Sequence, residues 1–173
     1  MKKGLLLLTC LVLLVAGGAL TYRYLRSHGF SARVEPHPIE EAFALTVRKL
    51  VTPRKFLEMK NPLPASPVYI AEARNHYADH CAVCHDVDGS GETKVSKGLY
   101  PPAPDLASKR TQELSDGEIF YIIREGIRFS GMPGFGGEDK ENWKLVQFIR
   151  HIPKLSSEEL EMIKAAMPRA GKD

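Results

Sequence analysis

Residues 66–85 read Ser66-Pro67-Val68-Tyr69-Ile70-Ala71-Glu72-Ala73-Arg74-Asn75-His76-Tyr77-Ala78-Asp79-His80-Cys81-Ala82-Val83-Cys84-His85. Serine followed by proline is a helix start, the first residue as N-cap and the second at the first helical position. Val68 to His80 then reads as helix, with Ala73, Tyr77 and Cys81 four residues apart on one face. The helix delivers two cysteines three residues apart and a histidine directly after them. Thiols at that spacing can both form thioethers to the two vinyl groups of one porphyrin, and the next residue, His85, can then offer an imidazole nitrogen to the iron. A thioredoxin-like redox pair would want a strand before the motif and a βαβ pattern around it, and neither is visible. Zinc needs four ligands, and there is no second cysteine-rich knuckle. A disulfide across the two-residue gap leaves His85 without a role. Covalent haem is the reading that uses all three residues.

The chain has one further cysteine, Cys10, making three in all. It lies in an uncharged run from Gly4 to Leu20, behind Lys2 and Lys3. Seventeen helical residues span roughly 26 Å, just short of a ~30 Å hydrocarbon core, and Tyr22 and Tyr24 extend the segment with side chains suited to the headgroup layer. Residues 1–24 therefore read as a membrane anchor. Ala16-Gly17-Gly18-Ala19 also supplies small residues at signal-cleavage spacing, so a secretory leader stays open. Leu8 and Thr9 suit lipidation of Cys10 poorly. On either reading the chain is exported.

Downstream of the motif, Asp86 to Ser108 is rich in Gly, Pro and Asp and reads as loop. Ser115-Asp116-Gly117-Glu118 is a capping box opening a helix that carries Ile119, Phe120, Ile122 and Ile123, and Gly126 is its C-cap. Gly131-Met132-Pro133-Gly134-Phe135-Gly136-Gly137 excludes regular structure. Glu138 to Ile152 returns to helix, with Leu145, Phe148, Ile149 and Ile152 at three- and four-residue steps, and Pro153 stops it. Ser156 to Glu159 caps a last short helix. No run alternates as a strand does, so the class is all-α. Upstream, Ile39, Phe43, Val47 and Leu50 follow a helical period, and Pro53, Pro62, Pro64 and Pro67 punctuate an extended stretch. The expected organisation is an anchor or signal (1–24), a periplasmic tether with a short amphipathic helix (25–67), a haem domain (68–153) and a helical tail (154–173). Whether 25–67 is only a tether or a docking arm for a larger complex is open.

Composition narrows the function. The chain is 173 residues long, 43% hydrophobic and 26% charged, with a net charge of +3. That is ordinary globular composition and gives no footprint for nucleic acid. The basic excess is confined to residues 1–67, which carry 10 Lys/Arg against 4 Asp/Glu; residues 68–173 carry 14 against 17.

Residues 68 to about 153 resemble the class I c-type cytochromes, in particular the small single-haem bacterial domains. The resemblance implies a few helices packed around one covalently bound haem c, with thioethers from Cys81 and Cys84 and His85 as an axial ligand. It implies that the first helix crosses the last through Ala73 and Tyr77, met by Leu145 and Phe148 with Trp143 and Ile149 beside them. Pro104-Asp105-Leu106 matches the family's proline-x-leucine, which implies that the Pro104 carbonyl accepts a hydrogen bond from the second nitrogen of His85 and that Leu106 contacts the haem. Met132 stands in a Gly-Met-Pro loop able to approach a porphyrin face, and its soft, neutral thioether suits the second axial position. Met59, Met162 and Met167 read as core filler. His151 is the other candidate ligand; His76 and His80 read as surface or satisfied residues, and His28 and His37 have no visible partners.

No base, nucleophile or substrate pocket is apparent beside the motif. The expectation is a non-enzymatic single-electron carrier on the periplasmic face of the inner membrane, held by residues 4–20 and passing electrons between respiratory redox proteins. A haem subunit of a larger membrane redox complex is the runner-up, followed by a haem peroxidase or a gas sensor with a displaceable methionine. No nucleic acid and no small-molecule substrate are expected.

Overall fold

A computed structural model describes residues 2–29 and 31–168. Helices are the only regular structure among them, with no strand. The chain divides into two units, residues 1–32 and 33–173.

The first unit is one helix, α1 (Lys2–His28), none of whose side chains is buried. It is long and apolar enough to cross a membrane, a test that a signal sequence also passes. The hydroxyls of Thr9 and Thr21 donate to the carbonyls of Leu5 and Gly17, one turn back. That bond satisfies a polar group without a partner outside the helix, which suits an apolar surrounding. At the C-terminal end His28 stacks on Tyr24 at 4.4 Å and bonds Ser27.

The second unit begins with α2 (Pro38–Val51) and α3 (Arg54–Leu57), followed by α4 (Pro67–His80) and the single turn α5 (Ala82–His85). After a long loop come α6 (Lys109–Gln112), α7 (Asp116–Glu125), α8 (Asp139–His151) and α9 (Ser157–Ala166). α4 crosses α8, and the crossing holds the core. Ala73 and Tyr77 are buried in it, as are Trp143, Leu145, Phe148 and Ile149. The rings of Tyr77 and Phe148 meet at 5.0 Å, and Trp143 stacks on Phe120 of α7 at 4.2 Å. Lys144 sits beside the crossing, almost wholly buried, with Nζ 2.5 Å from Glu72 and 2.7 Å from Glu141. It therefore clips α8 to α4 by charge-assisted bonds where an unpaired ammonium would be costly.

The boundaries expected at 67/68 and 153/154 do not coincide with gaps in packing. Phe56 of α3 is a core residue, with its ring 4.8 Å from Tyr121 and 6.2 Å from Phe120. α3 lies so close to α7 that a Cβ on Gly117 would stand 1.8 Å from the Phe56 carbonyl oxygen. The proline-punctuated stretch is strapped to α8: Asn61 donates to the Trp143 carbonyl at 2.8 Å, and Gln147 to that of Pro64 at 3.0 Å. At the other end Ile163 of α9 is fully buried, and α9 packs on α4.

Capping follows the sequence in part. Ser115 with Glu118, and Ser156 with Glu159, form complete capping boxes, and Gly126 ends α7 at φ 71°. Ser66 precedes α4 but makes no side-chain cap; its N–H donates to Gln147 Oε1 at 3.3 Å. His37, expected without a partner, caps α2 by accepting the Ile39 N–H on Nδ1. Met59 and Met167 pack against the core, but Met162 is 40% exposed and lies outside it.

Candidate haem-binding site

The motif sits where α4 gives way to α5. Cys81 closes α4, and its carbonyl accepts the N–H groups of Cys84 and His85 at 3.1 and 2.9 Å. The tight turn sets Cys81, Cys84 and His85 on one short stretch at the C-terminal end of α4. The chain then reverses at Asp86, whose φ of 63° is costly for a residue with a Cβ. The buried Tyr77 hydroxyl donates to the Asp86 carbonyl at 2.6 Å and holds that reversal in place.

The loop from Asp86 to Ser108 has no long element, yet its backbone is closed on itself. Gly91 N–H donates to the His85 carbonyl at 2.9 Å, and Leu106 N–H to that of Gly89 at 2.8 Å. Ser96, wholly buried, accepts the Ala103 N–H at 2.8 Å and donates its own N–H to Thr93 Oγ1 at 2.9 Å. Gln112 of α6 reaches both the Leu106 carbonyl at 2.7 Å and the Ile149 carbonyl at 2.9 Å, fastening the loop to α8. The sequence reading passed over Gln112 and Ser96. Their side-chain bonds span 6 to 37 residues and leave no local pattern to read.

This closure sets Pro104 beside the motif histidine, with His85 Nδ1 3.2 Å from the Pro104 carbonyl oxygen. A carbonyl only accepts, so Nδ1 carries the proton and Nε2 keeps its lone pair. Burial lowers the His85 pKa, and the bond to Pro104 opposes that shift in part. The ring is therefore neutral at physiological pH, with Nε2 free to ligate. Burial, reinforced by the neighbouring Cys84, pushes the Cys81 thiol up to about 12, and burial also raises Cys84. A redox-active cysteine pair needs the opposite shift, toward thiolate. Two protonated thiols, a neutral imidazole with one fixed tautomer and the buried Leu106 fit a covalently held haem.

Met132 lies on the loop between α7 and α8, half-buried. Its carbonyl accepts the Ile127 N–H at 3.0 Å, and its N–H donates to Ser130 Oγ at 3.2 Å. Beyond it, Phe135 and Gly136 N–H groups donate to the carbonyls of Ile123 and Arg124, each at 3.0 Å. The loop thus folds back over the end of α7, where Gly126 leaves it room. The other candidate ligand is engaged elsewhere: His151 Nε2 lies 2.7 Å from Glu159 Oε1. His76 and His80 meet edge to face at 5.0 Å, with His80 facing Phe135 at 6.3 Å.

Residues 69–149, just under half of the chain, match the family model described as cytochrome C oxidase, cbb3-type, subunit III. The matched span contains Cys81, Cys84, His85, Pro104, Leu106 and Met132. A comparison with curated proteins gives no match.

Proposed function

We propose that this chain, whose residues 69–149 are a c-type cytochrome domain of class I fold, carries single electrons between redox proteins at the periplasmic face of a membrane. Haem iron alternating between ferric and ferrous states supplies that chemistry when bound. Cys81 and Cys84 would hold one haem c by thioethers, with His85 Nε2 and the Met132 sulfur as axial ligands. The Pro104 carbonyl fixes the imidazole's tautomer and plane, a tuning role that outer-shell partners play at metal sites. A thioether in the second position favours the ferrous state and so raises the potential. α1 would keep the domain at the membrane.

The observation that carries this reading is the His85–Pro104 pair at 3.2 Å, because it leaves one nitrogen, and only one, able to ligate. A subunit role in a larger oxidase is a second reading, favoured by the matched family's description. The testing experiment is haem staining after denaturing electrophoresis. The parent protein should retain haem, either single variant, Cys81→Ala or Cys84→Ala, should keep at most one thioether, and the double variant should carry none. Haem that stays on the double variant through denaturation overturns attachment at this motif.

A further inference from the structure

α2 is apolar on the side that faces away from its own domain. Glu41, Leu45, Arg48 and Thr52 form one stripe and are half-buried or buried. Glu41 pairs with Arg110, and Glu40, on the edge shared with Val47 and Val51, accepts the Tyr100 hydroxyl at 2.6 Å. Arg48 is desolvated there, with Glu118 facing it. On the opposite side Ile39, Phe43 and Leu50 are 75%, 70% and 78% exposed, with Val47 and Val51 along one edge. At 100° per residue the three side chains fall within about 40° of one another, a compact apolar strip.

The surrounding charge is predominantly basic: residues 38–60 carry five Lys/Arg against three Glu. Of those acids only Glu41 is offset by an ion pair, with Arg110; Glu40 is bonded to the uncharged Tyr100 hydroxyl, and Glu58 is exposed. Lys49, Arg54, Lys55 and Lys60 are all exposed. Nine residues, 29–37, separate α1 from α2, a reach of about 30 Å at full extension. A bilayer crossed by α1 is therefore never far from α2.

We propose that the Ile39–Phe43–Leu50 face of α2 lies in the headgroup layer of an anionic bilayer, with Lys49, Arg54 and Lys55 against lipid phosphates. It rests on the reading of residues 4–20 as a retained span. An interfacial helix combines an apolar face with flanking basic residues and lies in the plane of the membrane, and juxtamembrane basic side chains add attraction to anionic lipid. Because α2 is fixed to its own domain through Glu41–Arg110 and Glu40–Tyr100, lipid contact would also orient the domain that carries the motif.

The test is site-directed spin labelling of the haem-loaded full chain in vesicles of phosphatidylethanolamine and phosphatidylglycerol. In a Cys10→Ala background, single cysteines replace Ile39, Phe43 or Leu50, with Glu158→Cys of α9 as the water-exposed control. All four positions are exposed, so the domain should fold in each, and an unchanged haem spectrum checks this. Labels at 39, 43 and 50 should collide several-fold more with oxygen, relative to a water-soluble nickel chelate, than the label at 158. Equal nickel access at all four positions overturns the proposal while leaving the span intact; that result is also expected if another protein, rather than lipid, covers this face. Protein that leaves the vesicles in a salt wash overturns the retained span, and this inference with it.

Discussion

A Cβ atom on Gly126 would stand 2.8 Å from the carbonyl oxygen of Met132 and 2.5 Å from the nitrogen of Gly134. The C-cap of α7 and the methionine loop are thus one packed unit, and the loop's position depends on the absence of a side chain at residue 126. The φ of 71° and ψ of −169° at Gly126 lie in a region that residues with a Cβ almost never enter.

Gly126→Ala should therefore push the methionine loop away from α7 while leaving Cys81, Cys84 and His85 untouched. The backbone cost alone is about 1–3 kcal/mol. Expected are retained covalent haem and a weakened methionine-to-iron charge-transfer band in the oxidised spectrum. Gly98→Ala, whose added Cβ meets nothing within 4 Å, should change neither.

Phe56 lies outside the matched residues but inside the core. Phe56→Ala should lower stability by about 3–5 kcal/mol, the usual range for a buried phenylalanine. Phe43→Ala, at a position 70% exposed, should stay within about 0.5 kcal/mol in detergent. Chemical denaturation of the two variants reads the difference. Equal stabilities would mean that α3 is not integral to the domain.

Burial, and secondarily the proximity of His80, lower the pKa of His76; Glu141 and Asp79 oppose the shift. The folded protein thus takes up this proton less readily than the unfolded chain. The stability contribution is complete above the ordinary histidine value of about 6.5 and falls as pH drops from there toward the lowered folded value. His76→Gln should flatten that part of the stability–pH curve, as measured by denaturation at a series of pH values. A slope identical to the parent's would remove His76 as its source.

Much of this architecture is legible because its signals are local. Ser115 and Glu118 sit three residues apart and find each other in the structure, as do Ser156 and Glu159. Ser66 precedes a helix as expected, yet its side chain does not cap; its backbone N–H bonds Gln147 instead. Phe56 was not legible: four residues of helix between prolines carry no period, and its burial is supplied by Phe120 and Tyr121, more than sixty positions away. The exposed Met162 was missed for the same reason, because what surrounds a side chain is set by tertiary packing; the His37 cap is a local bond to an N–H two residues on, but histidine is not among the side chains that mark an N-cap. In the site, the Cys81–His85 motif is readable by spacing alone. Pro104 enters only through the family resemblance, and Gln112, which fastens the loop behind it, has no sequence signature at all.

The central claim, an electron-carrying haem with His85 and Met132 as its axial ligands, is tested most directly by the Met132→Ala variant. Its oxidised visible spectrum and its reduction potential are measured beside the parent and a Met162→Ala control. Covalent haem should be retained and the methionine-to-iron band lost. The potential should fall by on the order of 100 mV, because the thioether is what raises it. Carbon monoxide, excluded by the parent, should then bind the reduced form, and Met162→Ala should match the parent throughout. A Met132→Ala protein with the parent's band and potential would contradict ligation by Met132 and, with it, the high-potential electron-carrier function.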